Sequence, residues 1–157
     1  MENKTREVLF RGKRMDNGAW ETGSLVLVRQ GCSDEQVFIA DKMTGYHTPV
    51  VPHTVGQLTG LKDKTGRDIY EGDIVTGVFQ FGMEVKYTVI FQDGAFGLYW
   101  RWNGSEHFSA FACFCNVEFT VIGNVCDGEE CDHDCESCDQ RAICNGSTYK
   151  PDWMEEE

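Results

Sequence analysis

VGQLTGLKDKTGRDIYEGDIV, residues 55–75, packs two turn signals, a dense run of carboxylates and the start of a strand into one block. Lys64-Thr65-Gly66 closes a loop whose glycine can take a left-handed backbone, and Glu71-Gly72-Asp73 makes a turn that launches Ile74 and Val75 on the next strand. Aspartate in such turns bonds its own backbone, so Asp63, Asp68, Glu71 and Asp73 read first as turn chemistry. Paired carboxylates near His47 and His53 also permit a metal-dependent hydrolytic site to be drawn, which makes a small metal-dependent hydrolase one alternative. Nothing else in the chain supplies the machinery: there is no serine elbow, Walker loop or H-E-x-x-H, and Asp63-Lys64-Thr65-Gly66 lacks the alternating oxygens of a calcium loop. The reading is therefore of a non-enzyme.

Outward from this block the body shows short apolar or alternating segments punctuated by Gly, Asn and Asp, with no long helical period. Strands are expected at 8–12, 20–28, 36–40, 74–79, 84–91, 97–102 and 117–125, at the spacing of a barrel or sandwich. Asp16-Asn17-Gly18 and Asp93-Gly94 suit tight hairpins, so the pairing should be antiparallel and mostly local.

The central block, read on from Val51, His53 and Thr54, resembles the signature of the YopX family of phage and prophage proteins. LFRGKRMDNGAWETGSLV (9–26) is similar to that family's opening pattern and FTVIGNV (119–125) to its closing strand. The matches frame roughly residues 6–125. The resemblance implies an all-β, antiparallel body of the SH3-like barrel or roll kind, in a phage or prophage accessory protein whose role is not defined at the family level.

The 157 residues suffice for one core, so the expected organisation is a β domain over 1–126 and a tail over 127–157. No apolar run approaches the ~20 residues of a membrane span, and the N-terminal segment lacks a signal-like apolar region, which points to a soluble protein of the bacterial cytoplasm. The net charge of −12 is uneven: 11 acids face only Arg141 and Lys150 in the tail, for −9, which leaves −3 on the body. Such a field repels phosphate backbones, disfavours nucleic acid as a partner and permits a basic protein partner, or simply solvates the tail.

The tail also concentrates cysteine. Cys135-x-x-Cys138 has the spacing that lets two thiolates reach one tetrahedral ion, and Cys131 and Cys144 can complete a zinc site, with Cys126 or His133 in reserve. The surrounding carboxylates attract a cation but repel a thiolate, so reduced thiols or disulfides stay open as alternatives. Cys131-x3-Cys135-x2-Cys138 matches a radical SAM cluster in spacing only, since the chain lacks the βα periodicity of that fold. Cys113 and Cys115, on one face of a presumed strand, and Cys32 read as small buried hydrophobes.

Aromatic residues crowd the second half of the body. In Tyr99-Trp100-Arg101-Trp102 the two tryptophans share one strand face, and Arg101 points opposite with Tyr99. The pair either fills a core or offers a platform to a peptide or to stacked bases, which Lys86, Arg101, Arg11, Lys13 and Arg14 could line. Tyr99, Trp100, Arg101 and Trp102 are the candidate contact with a host or phage protein of replication, transcription or defence; a single-strand nucleic-acid module with a zinc knuckle is the alternative.

Overall fold

The computed structural model describes residues 7–29, 31, 35–78, 84–114 and 117–127. Turn chemistry sets the chain reversals. Asp93 and Gly94, and again Asn103 and Gly104, all adopt positive φ, the conformation whose twist matches flanking antiparallel strands. Between such turns run β1 (Phe10–Lys13), β2 (Trp20–Val28), β3 (Gln36–Ala40), β4 (His47–Pro49), β5 (Gly56–Lys62), β6 (Asp68–Tyr70), β7 (Asp73–Val78), β8 (Glu84–Gln92), β9 (Ala95–Trp102), β10 (Ser105–Ala110) and β11 (Phe119–Asn124). The protein is all-β, and among the described residues every pairing is antiparallel.

The strands form two sheets, ordered β4-β3-β2-β1-β5-β6 and β10-β9-β8-β7-β11. Among the described residues neither closes into a barrel through a continuous ladder, and a bridge from Arg14 to Val50 ties the free side of β4 back toward β1. Most pairs are sequence neighbours, as local hairpins demand, with β1–β5 and β7–β11 as the longer returns.

The main core lies on one face of the second sheet. Val75 faces Tyr87 and Val121 across its two neighbours, and Val89 faces Leu98. With Ile69 and Phe119 these residues form one buried cluster, flanked by Val85, Trp100, Phe111, Phe114 and Val117. Phe119 sits opposite Gly77, where an added Cβ would come within 2.8 Å of its ring, so the glycine makes room for the aromatic. Tyr87 meets Trp100 edge-on at 5.4 Å, and Phe111 meets Phe119 edge-on at 5.8 Å, geometries that aromatic quadrupoles favour. Ile39 and Val50 are fully buried in the first sheet.

β2 and β3 coincide with the expected ranges, and β1, β7, β8, β9 and β11 fall within a few residues of theirs. Four strands escape the alternation rule. β5 reads GQLTGLK, with two glycines and a cation where apolar residues were sought; β4 and β6 have three residues each; β10, SEHFSA, is mostly polar. The signature block is accordingly not a loop followed by a strand. It is a β-hairpin, β5–β6, running directly into β7.

Candidate functional site

The carboxylates of the signature block come first, because their surroundings decide whether they are available for chemistry. Asp73 is fully buried, and its oxygens receive the Arg11 guanidinium, the Tyr70 backbone N–H at 2.9 Å and the Asn124 Nδ2 at 3.3 Å. Arg11 lies between the rings of Trp20 and Tyr70, its guanidinium carbon 4.5 Å from each centroid. Two aromatic faces and one carboxylate thus replace the hydration of the cation. β1 of the first sheet and β7 of the second are thereby clasped together, with β11 joined through Asn124.

Asp63 performs a similar service at the other end of the block. One oxygen accepts the Thr65 N–H at 2.8 Å, the Thr65 hydroxyl at 2.6 Å and the Arg67 N–H at 3.0 Å, while the other accepts the Val121 N–H at 3.1 Å. Burial opposes ionisation, but these donors outweigh it and hold the pKa down at about 2. Lys64 N–H adds a bond to the Phe119 carbonyl, so the loop is stitched to β11. Glu71 behaves differently: burial pushes its pKa up, against backbone donors at Gln57 and Phe91. Asp68 makes an exposed ion pair with Lys62.

Two glycines hold this frame close. Gly72, at φ 84°, donates to the Val89 carbonyl and accepts from the Val125 N–H. At Gly56 a Cβ would stand 2.3 Å from the Glu71 carbonyl oxygen, so only glycine lets β5 lie against the turn. His47 is exposed on β4; His53 is half-buried in a 3-10 turn (Pro52–Thr54), its pKa lowered by burial and then by Lys13. Lys13 bonds the Cys126 carbonyl, lies 3.5 Å from the Asp127 carboxylate and sits over Trp20, fastening the described end of the chain to β1. Arg11 was expected on a basic surface with Lys13 and Arg14; it is buried in the clasp, because its partner Asp73 is.

The β9–β10 hairpin presents a different surface. Trp102 is 67% exposed, while Trp100 is half-buried, edge-on to Tyr87 and stacked at 5.3 Å on the His107 ring. The shared face is therefore split: Trp100 borders the core, and Trp102 stands open beyond it. On the opposite face Arg101 pairs with Glu106 at 2.9 Å, and Tyr99 lies across from Phe108. Burial, then the neighbouring Glu106, push the Tyr99 hydroxyl upward in pKa. Phe108 reaches over Gly97, where its ring would lie 2.6 Å from a Cβ. Glu106, His107 and Phe108 were missed in the sequence because β10 was missed; the signal was Asn103-Gly104, a two-residue hairpin turn.

Cys113 is exposed in a 3-10 turn (Phe111–Phe114), not buried on a strand as expected; Phe111 and Phe114, one turn apart, pack toward the core and leave it outward. Cys32 and Cys115 lie outside the described residues, as do the candidate metal ligands Cys131, Cys135, Cys138 and Cys144. Among the described residues no helix is long and apolar enough to cross a membrane.

Fold and site together define an all-β protein of two antiparallel sheets, clasped by a buried arginine–aspartate pair and carrying an open aromatic hairpin. The family model described as YopX protein matches residues 9–130, and the chain belongs to the YopX family. A search of curated proteins returned no match.

Proposed function

We propose that this chain is a non-enzymatic protein-binding module, a phage or prophage accessory protein whose β domain over residues 1–126 engages a host or phage protein of replication, transcription or defence in the bacterial cytoplasm. The observation that carries the reading is Trp102. A tryptophan 67% exposed at the end of β9 is the residue type that anchors protein interfaces, because its ring buries a large area with few torsions to fix, and Arg101 and Tyr99, of types equally common there, stand on the other face of the same strand. The opposing enzymatic reading loses its best acids, since the oxygens of Asp63 and Asp73 are committed to backbone and side-chain donors.

We read the second sheet as SH3-like. In support, β7 to β10 run as a meander, a 3-10 turn follows, and β11 returns to pair with β7. The tail over 127–157 is proposed as a second contact or a zinc knuckle held by Cys131, Cys135, Cys138 and Cys144, whose four thiolates suit a structural tetrahedral ion that would stabilise a segment poor in apolar residues. Protein is favoured over single-stranded nucleic acid as partner because a stacking platform needs successive open rings, whereas the Trp100 face is taken by His107. The net charge of −12 weighs the same way.

Affinity capture from bacterial host lysate under reductant, with the full chain and the 1–126 truncation in parallel, tests the reading. A stoichiometric protein retained by both chains supports it, and loss on truncation would move recognition from the β domain to the tail. Nucleic acid gained by the truncation with no protein partner would overturn it.

A further inference from the structure

Four strand edges bound the two sheets, and unpaired edges attract foreign strands unless they are blunted. Three of them are. β4 has three residues, ends on Pro49 and is turned back by the Arg14–Val50 bridge. β6 also has three, and its outward Tyr70 N–H is engaged by Asp73. β11 carries an irregularity between Val121 and Gly123, and its Val121 N–H and Phe119 carbonyl are engaged by Asp63 and Lys64.

β10 carries none of these devices. It has six residues, no proline and a regular register with β9, and among the described residues no strand lies on its far side. A two-residue turn with positive φ at both Asn103 (48°) and Gly104 (74°) closes on a hydrogen-bonded Trp102/Ser105 pair. Bonded and non-bonded pairs then alternate, so Trp100/His107 and Leu98/Ser109 exchange bonds as well. The N–H and C=O groups of Glu106, Phe108 and Ala110 point away from β9.

Resting on the protein-binding reading above, we infer that β10 accepts an extended peptide of a partner protein as an added strand. The peptide carries a basic residue opposite Glu106 and an apolar residue two positions away opposite Phe108. Its intervening side chain falls on the Trp100 and Trp102 face. Three cross-strand rows support this. Arg101–Glu106 stops at a carboxylate with one cation on one side, and a second cation would complete it. Tyr99–Phe108 extends naturally with an apolar residue. Trp102 faces only the small Ser105 across the ladder and is left open toward the edge. Charge also selects the occupant: antiparallel pairing of β10 with a second copy about His107 or Phe108 would put Phe108 or Ala110 opposite Glu106, and the chain as a whole is acidic. A basic strand fits and a second copy does not.

The test is selection of displayed random heptapeptides on the immobilised full chain, followed by fluorescence anisotropy of the selected peptides. Enrichment of peptides with a basic and an apolar residue two positions apart is expected, with binding weakened about tenfold or more by N-methylation of alternate peptide amides, which leaves the protein unaltered. Ala110→Pro, which removes an outward N–H without touching the β9 ladder, should do the same at unchanged thermal midpoint, and Glu106→Lys should weaken basic peptides about tenfold. Binding indifferent to N-methylation and to Ala110→Pro would overturn the inference, as would no enrichment, or a dimer in solution dissolved by Ala110→Pro. Capture of a host protein that survives Ala110→Pro would overturn the edge while sparing the binding reading; no capture at all would overturn both.

Discussion

At Asp63 four donors from three residues converge on one carboxylate, and removing it would strand the Val121 amide in the core. Asp63→Ala should cost about 2–3 kcal/mol in urea unfolding. The folded pKa of about 2 lies below the unfolded value, so this carboxylate contributes stability above pH 4 that is lost as pH falls toward 2. The acid limb of the wild-type stability profile should flatten in Asp63→Ala; an unchanged limb would contradict the assignment. Asp73→Ala leaves the Arg11 guanidinium buried without its counter-charge, for which about 3–5 kcal/mol is expected by the same measurement. Glu71 has the opposite sign: its raised pKa means ionisation opposes folding, so Glu71→Gln should raise the thermal midpoint at pH 7 relative to pH 4. The turn role of these acids was legible in the sequence, because aspartate spacing around Gly66 and Gly72 dictates it. The Arg11–Asp73 pairing was not, since 62 residues separate the partners and only the fold brings them together.

Among elements, the β9–β10 hairpin passes from packed to open along one face. Trp100 borders the core and Trp102 does not, so Trp100→Ala should cost about 1.5–3 kcal/mol while Trp102→Ala stays within about 0.5 kcal/mol, read by chemical denaturation. Equal costs would mean the two rings share one environment. Alternation in Tyr99-Trp100-Arg101-Trp102 assigned faces correctly, but periodicity cannot tell where along a strand the core ends. β10 escaped because an edge strand need bury neither face fully, and SEHFSA reads as polar loop. β5 escaped because its glycines serve close packing: the Gly56 backbone lies against Glu71 where a side chain cannot fit. Gly56→Ala should therefore destabilise despite its higher strand propensity.

For the whole molecule, the sequence showed an all-β chain with antiparallel local pairing and a charge split between body and tail. It did not show that the strands divide into two sheets, because the division depends on two long-range returns, β1 with β5 and β7 with β11, that no local pattern encodes. The arrangement that results uses the family signature as a joint: β5 and β6 end the first sheet, β7 opens the second, and Asp63 and Asp73 secure both to β11. Acids so engaged hold the frame, and under the proposed function recognition is assigned to the open hairpin. Capture from host lysate by the wild-type chain against a folded Arg101→Ala, Trp102→Ala double variant tests that division most directly. The account predicts one stoichiometric protein on the wild type and at least tenfold less on the variant at equal thermal midpoint; equal recovery on both would contradict it.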